Sequence, residues 1–411
     1  MRILFVGTAW SHHLSRWINQ LNGQGWDIHL FPLNADEGVH PDLADLTVHD
    51  AIHGRPRGAA ASVRAVDDFW PLVRDGYPFA RGAMTARRIE RNFFPRRADR
   101  AWRLAYAIRK LRPDIVHSMT IYPASDLIMQ AREHLTGEFP VWMVSSWGSD
   151  IYLFPRLSQY AEKSRAALSS CDYFICDCQR DVESARRYGF RGEVLGVVSG
   201  AGGFDVGWLN KLARVTPTSR RRLIMMKGQQ HIAGRALVGV RALELCADAL
   251  RDYRLAVFYA SPDVEAAVEL LSQATGIPAT IVSKVPYEEL LELFGSARVS
   301  IGLGISDGLP LSLLEAMAMG AFPVQSGTSC ADEWTLDGET CLIVPPEDPE
   351  AVAAAVRRAV SDDALVDAAA ETNARVVAEQ FDNSVLRPRI VAMYEQAFTQ
   401  GRRARAATPG S

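Results

Sequence analysis

Two carboxylates, Asp307 and Glu315, sit in a stretch where loop and helix signals meet side chains able to do chemistry: Ser306-Asp307-Gly308-Leu309-Pro310-Leu311-Ser312-Leu313-Leu314-Glu315-Ala316-Met317-Ala318-Met319-Gly320. Gly304 and Gly308 mark a turn that lets backbone approach a ligand. Pro310 suits the first helical turn, where its missing N–H is no loss, and Gly320 suits a left-handed helix stop. Between Gly308, Leu309, Pro310 and Leu311, the open N–H groups of a helix start favour an anion such as a phosphate. Glu315 is flanked by Leu314, Ala316 and Ala318, and an ionised carboxylate among apolar neighbours requires a partner. The residues alone leave two readings open. One is an Asp cap with a Glu paired to an Arg; the other is a ligand site, with amides for a diphosphate and carboxylates for sugar hydroxyls.

Further candidates stand at the ends of strands. Lys227 closes the apolar run from Leu223, and Arg235 lies near the start of a helix through Val238, Val240 and Leu243. Either cation neutralises phosphate, Arg as a bidentate fork; the plainer reading is a surface salt bridge for each. His12 and His13 follow the strand Ile3 to Val6, where one could cap a helix and the other be solvated. Trp147 and Asp150 follow the strand Pro140 to Ser145. Open α/β sheets bind ligands outside such carboxyl ends. A Trp stacks on a sugar or base but accepts no proton. Asp150 either orients an acceptor hydroxyl or caps the next helix.

The elements that must position these groups alternate strand and helix. Ile3 to Val6, a helix through Leu14, Trp17, Ile18 and Leu21, and Asp27 to Phe31 form a unit that implies parallel pairing with a right-handed crossover. Strands follow at 114–117, 140–145, 172–176 and 193–198. The glycine-rich run from Ser199 to Asp205, then Thr216-Pro217-Thr218-Ser219, reads as a domain boundary. A second alternating series begins at Leu223, with later strands at 255–259, 280–282, 299–303, 322–325 and 342–344. The loop after the first strand has Gly7 but no further glycine, so the three-glycine dinucleotide fingerprint is absent and a nicotinamide cofactor is disfavoured.

A chain of 411 residues exceeds one ordinary core. With 48% hydrophobic and 23% charged residues and a net charge of −3, it reads as an ordinary globular protein with no polyelectrolyte case for nucleic acid. Its 6 cysteines show no paired CxxC spacing, which disfavours structural zinc and a secreted disulfide framework. No signal-peptide core or membrane span is evident, so a cytoplasmic location is expected. One segment departs from this balance. From Arg81 to Arg112, the cations Arg81, Arg87, Arg88, Arg91, Arg96, Arg97, Arg100, Arg103, Arg109, Lys110 and Arg112 face only Glu90 and Asp99, with Phe93, Phe94, Trp102 and Tyr106 interleaved. This is either a solvated helix face or a surface for anionic lipid or a lipid-diphosphate acceptor, which would place the protein at the inner face of the membrane.

The stretch from Asp307 resembles the acidic motif of retaining GT-B glycosyltransferases, in particular family 4. There a Glu, seven residues and a second Glu open Glu-Ala-Met-Ala-x-Gly; here Asp307 takes the first place, and Glu315 begins Glu-Ala-Met-Ala-Met-Gly. The loop Ser146-Trp147-Gly148-Ser149-Asp150 is similar to the family's Thr-x-His-Gly-x-Asp, with Trp147 where His often stands, and the run from Glu339 to Glu350 matches a late strand and turn. The resemblance implies two Rossmann-like α/β domains facing across a cleft, with a C-terminal helix returning to the first. The expected limits are 1–200 plus about 382–400, 201–381, and a disordered tail over 401–411. It implies that Asp307 contacts the donor sugar, Glu315 the ribose, and Lys227 with Arg235 the diphosphate, while His12, His13 and Trp147 line the acceptor side. The implied reaction is retaining transfer of a hexosyl group from a nucleotide-diphosphate sugar, a UDP-sugar as the family's usual donor. Its acceptor is a hydroxyl of a glycan, glycolipid or lipid diphosphate in cell-surface polysaccharide assembly, and no metal or other cofactor is called for. The rivals are a GT-B epimerase or phosphorylase and a non-catalytic nucleotide-sugar binder, the last favoured by Asp307 and Trp147 as departures from the motif.

Overall fold

The structure, a computed structural model, describes residues 1–34, 38–50, 60–66, 99–212 and 216–407. The chain divides into two compact units, Met1–Gly202 with Leu386–Ser411, and Gly203–Val385.

In the first unit, β1 (Arg2–Gly7), β2 (Asp27–Pro32), β3 (Thr47–Val48), β4 (Arg64–Ala65), β5 (Ile115–Ser118), β6 (Val141–Ser145), β7 (Tyr173–Cys176) and β8 (Glu193–Val197) form one sheet in the order β4-β3-β2-β1-β5-β6-β7-β8. The pairings are parallel throughout. Ile3, Leu4, Phe5 and Val6 are wholly buried, as a central parallel strand with helices on both faces requires. Leu4, Val6, Leu104, Val116, Trp142 and Phe174 meet in one core, where each fully buried aliphatic or Phe side chain contributes roughly 1.5–3 kcal/mol.

The helix Asn383–Ala407 carries the chain back to this sheet. Its Tyr394 is fully buried and anchors it. The Tyr394 hydroxyl accepts from Trp17 Nε1 at 2.8 Å and lies 2.7 Å from His117 Nδ1, while His117 Nε2 lies 2.8 Å from Ser145 Oγ. The helix runs on through Gly401 to Ala407, where a disordered tail was expected; the Ala and Arg residues of that run are good helix formers, and residues 408–411 lie outside the described ones.

In the second unit, β9 (Leu223–Lys227), β10 (Arg254–Phe258), β11 (Ala279–Val282), β12 (Ala297–Gly302), β13 (Phe322–Ser326) and β14 (Leu342–Val344) form a parallel sheet in the order β11-β10-β9-β12-β13-β14. Its core gathers Ile224, Met226, Leu255, Val257, Val299, Ile301 and Val324 under helices such as Ala236–Leu245 and Pro349–Ser361. Both sheets reverse winding direction beside their first strand, between β1 and β5 and between β9 and β12. Such a switch point opens a crevice at the carboxyl ends of the two strands.

Of the five described cations in the basic segment, Arg109, Lys110 and Arg112 are exposed, but two are turned inward. Arg100 and Arg103, on the helix Arg100–Leu111, do not face solvent as a lipid-binding surface would need: both ion-pair with Asp50, and Arg103 and Asp50 are 1% and 3% exposed. The Arg100 guanidinium also lies 4.6 Å from the Phe31 ring centroid. Buried charge must be paired, and Asp50 supplies the pair from far along the chain. Arg81 to Arg97, with Phe93 and Phe94, lie outside the described residues. Among the described residues, no helix is long and apolar enough to cross a membrane.

Candidate functional site

The switch point of the second sheet brings Lys227 and Asp307 together. Lys227 ends β9, Asp307 lies in the loop after β12, and their Nζ and Oδ2 atoms are 3.6 Å apart. Two laced loops hold this arrangement. Ile305 N donates to Ala233 O at 2.7 Å and Arg235 N to Leu303 O at 3.1 Å, so the segment after Lys227 is stitched to the segment before Asp307. Gly304 N donates to Ser326 Oγ at 3.2 Å, and Thr328 Oγ1 donates to Gly304 O, which fixes the same turn from β13. Gly234 must be glycine here, since a Cβ would stand 2.2 Å from Gln229 O.

The helix Leu311–Met319 starts beside Asp307, with Pro310 at its N-cap position and Gly320 at φ +74° closing it. No side chain caps its start and no acid lies in its first turn, so of the two readings left open the Asp cap is not formed. Asp307 Oδ1 instead accepts from Gly308 N at 3.0 Å, and Gly308 O accepts from Cys330 N at 2.9 Å. Leu309 is buried under the turn, and Leu311 begins the helix. First-turn amides with no side-chain cap beside a lysine offer a place for phosphate oxygens. Glu315 is 4% exposed within this helix, among the buried Leu314, Ala316 and Met317.

Arg235 stands at the N-cap position of the helix Ala236–Leu245 with its side chain turned to its own loop. Nε donates to Glu347 Oε1 at 3.0 Å, and one terminal nitrogen donates to the carbonyls of His231, Ile232 and Gly234 at 3.3, 3.4 and 2.9 Å. Arg235 therefore shapes the loop beside Lys227, and a diphosphate would share its remaining donors. His231 also belongs to this centre and was missed. Its Nδ1 accepts from Ala233 N at 3.1 Å and Gly234 N at 3.3 Å. Burial first, then the Lys227 charge, hold its pKa below the ordinary histidine value, with Asp307 opposing. Tyr259, at the end of β10, was also overlooked. The glycines around His231 and the long gap from Lys227 to Arg235 were the available signals for the first; nothing marked the second.

In the first unit, the candidates gather at the carboxyl ends of β1 and β6. His12 and His13 open the helix His12–Asn19, which Ser11 caps by accepting from Leu14 N. His12 Nδ1 lies 3.2 Å from His40 Nε2, and burial, then Arg16, push the His12 pKa down to about 3. His12, His40 and Asp42 bring one possible metal-ligand atom each within 4.8 Å of one another, a grouping that spacing along the chain could not reveal. The His13 and Trp147 rings lie 5.4 Å apart. Asp150 is 5% exposed and accepts from Ile121 N, Trp147 N and Ser146 Oγ at 2.8, 2.9 and 2.9 Å. Burial pushes its carboxyl pKa up despite these donors. It lies inside the short helix Ser149–Tyr152, with Gly148 at the N-cap position, so it clasps two loops and does not cap.

Comparison with known proteins agrees with this architecture. The family model described as "Glycosyl transferases group 1" matches residues 239–376, which include Asp307 and Glu315, and that described as "Glycosyl transferase 4-like" matches residues 73–178, which include Trp147 and Asp150. A sucrose-phosphate synthase from Thermosynechococcus elongatus superposes with a TM-score of 0.70 at 16% identity, covering 97% of this chain and 100% of that one. The chain resembles the GT-B glycosyltransferases of family 4. Anabaena HepE, solved in complex with UDP-glucose, gives a TM-score of 0.64 at 11% identity over 96% of this GT-B chain and 100% of HepE. An exopolysaccharide phosphotransferase of Streptomyces coelicolor is 32% identical over 168 residues, 39% of this chain; the match spans only 17% of that relative.

Proposed function

We propose that the chain is a retaining glycosyltransferase that moves a hexosyl group from a nucleotide-diphosphate sugar to an acceptor hydroxyl. The observation that carries this reading is the pairing of Lys227 with Asp307 at the switch point, beside a helix start with no side-chain cap and a buried Glu315. The bond that breaks joins the anomeric carbon to the β-phosphate oxygen, and its electron pair stays on that oxygen. The bond that forms joins the anomeric carbon to the acceptor oxygen, whose proton passes to the departing phosphate. Lys227 and the backbone N–H groups at the start of the helix Leu311–Met319 stabilise the charge that develops on the leaving diphosphate, without reorganising as it grows. Arg235 supports them by fixing the loop. Asp307 holds a donor-sugar hydroxyl and Glu315 the ribose diol. All of the charge stabilisation in this scheme comes from the chain itself, so no cofactor is assigned a step.

UDP-glucose bound to a protein of the same fold supports a UDP-sugar donor. The name of the Streptomyces relative supports a place in cell-surface glycan or glycolipid assembly, with a glycan, glycolipid or lipid-diphosphate acceptor. Peripheral attachment to a membrane draws no support from Arg100 and Arg103, which Asp50 engages.

The test is calorimetric titration with UDP, ADP and GDP, followed by the corresponding sugar-linked forms. Losing a charged hydrogen-bonding partner is worth roughly 1.5–3 kcal/mol, so Glu315→Ala should weaken the preferred nucleoside diphosphate by about tenfold to a hundredfold. Unchanged affinity in a folded Glu315→Ala chain would remove Glu315 from the site. Sugar-nucleotide binding with no acceptor-dependent release of nucleoside diphosphate would favour a non-catalytic binder.

A further inference from the structure

Tyr259 occupies a backbone conformation that its side chain opposes. Its φ is +54°, in the left-handed region that glycine and asparagine accept and a bulky aromatic residue rarely adopts. The neighbouring loop imposes this turn. Gly228 N donates to Phe258 O at 2.8 Å, and Ser261 N donates to Gly228 O at 2.9 Å, so residues 258–261 fold around Gly228. Ser261 Oγ accepts from Gln230 N at 2.9 Å and closes the same knot. A Cβ on Gly228 would stand 2.6 Å from Val257 Cγ1 and 2.7 Å from Ala260 Cα, so the approach depends on that glycine. Phe258 pairs in register with Lys227 on the adjacent strand, which places Tyr259 immediately beside the Lys227 loop.

Burial does not explain a tyrosine at this turn. The residue is 61% exposed, and its ring meets Phe258 edge-on with centroids 5.5 Å apart. Partial burial of the phenol, then the Glu315 charge, push its pKa above the ordinary tyrosine value, so the buried carboxylate reaches it electrostatically. A strained backbone that holds out an exposed aromatic ring next to the end of the Lys227 strand, within electrostatic reach of Glu315, is the kind of arrangement a ligand site maintains.

We infer that Tyr259 is the platform on which the nucleobase of the donor stacks. This rests on the donor site proposed above and extends it from the diphosphate at Lys227 and the ribose at Glu315 to the far end of the nucleotide. Stacking on an aromatic face accepts every base, so Tyr259 sets affinity for nucleoside diphosphates as a class, and base choice lies with other groups.

Calorimetric titration of the full chain with UDP, ADP, GDP and inorganic pyrophosphate tests this, in wild type and in Tyr259→Phe, Tyr259→Ala and Tyr259→Gly. Base stacking on an aromatic side chain corresponds to a loss of about 5- to 100-fold for the nucleoside diphosphates in the Ala and Gly variants. Tyr259→Phe should stay within about twofold of wild type, and pyrophosphate, which has no base, should bind all four chains equally. The Gly variant should also melt about 1–4 °C above the Ala variant, because only glycine relieves the left-handed turn. Should the Ala variant fail to fold, the Gly variant carries the binding test. Wild-type affinity in the Ala or Gly variant overturns the inference and leaves the donor site standing. A parallel loss of pyrophosphate binding also overturns it, because Tyr259 would then act through the Lys227 loop. A wild-type chain that binds none of the four probes overturns the donor site and the inference together.

Discussion

Lys227 Nζ and Asp307 Oδ2 stand 3.6 Å apart at the point where the second sheet reverses direction, and both side chains remain partly open, at 24% and 35% exposure. A pair so exposed adds little to stability, at most about 1 kcal/mol. In the donor site proposed above, it sets the lysine assigned to the diphosphate against a competing carboxylate. Asp307→Asn should therefore leave the melting temperature nearly unchanged while tightening UDP binding by about 1.5- to 5-fold, the equivalent of 0.2–1 kcal/mol. Turnover should fall in the same variant, because the donor-sugar contact weakens as the diphosphate contact improves. Calorimetry with UDP and steady-state release of nucleoside diphosphate check the two halves. Weaker UDP binding in Asp307→Asn would mean that Asp307 organises the loop and does not compete for Lys227.

Much of this site could be read before the fold was known, because glycine and proline punctuate it. Gly304, Gly308, Pro310 and Gly320 bracket a strand, a loop and a helix whose observed limits differ from the expected ones by at most two residues. The apolar runs Leu223 to Met226 and Val299 to Leu303 announced the two strands of the switch point, observed at Leu223–Lys227 and Ala297–Gly302. What stayed hidden depends on partners distant in sequence. Arg100 and Arg103 counted as surface charge because no local pattern points to Asp50. The loop-shaping bonds of Arg235, the His12–His40 contact and the three donors that converge on Asp150 likewise join segments that only the sheet brings together. Tyr259 was hidden for the opposite reason: its side chain argues against the turn it occupies, so local propensity points away from it.

Asp150 separates a structural clasp from an acceptor-binding group. Its carboxylate takes Ile121 N, Trp147 N and Ser146 Oγ, all in a buried setting. Removing it strands those donors, and each buried polar group left unsatisfied costs about 1–3 kcal/mol. Asp150→Ala should show that loss in urea denaturation, and Asp150→Asn, which keeps one acceptor oxygen, a smaller one. An Asp150→Ala chain with wild-type stability and only acceptor-dependent turnover impaired would assign the carboxylate to the acceptor instead.

The pH dependence of stability should report on His117. This residue is fully buried between Tyr394 and Ser145, and burial pushes its pKa down to about 3. In the unfolded chain it titrates near 6.5. Between those two values the unfolded state binds one more proton than the folded state, so folding stability rises with pH across that window. The contribution is complete above about 6.5 and is lost progressively as pH falls toward 3, at up to about 1.4 kcal/mol per pH unit. The half-buried His12, whose pKa is likewise pushed down to about 3, should steepen the same decline. His117→Gln keeps a polar group but removes the titration. It should be less stable than wild type at pH 7.5 and lose less stability between pH 6 and pH 4.5, by an amount that corresponds to about one proton. Chemical denaturation at several pH values measures the two slopes. Equal slopes would mean that His117 is already protonated in the folded state, with Tyr394 and Ser145 both accepting from it, and the neutral network that anchors the returning helix would have to be redrawn.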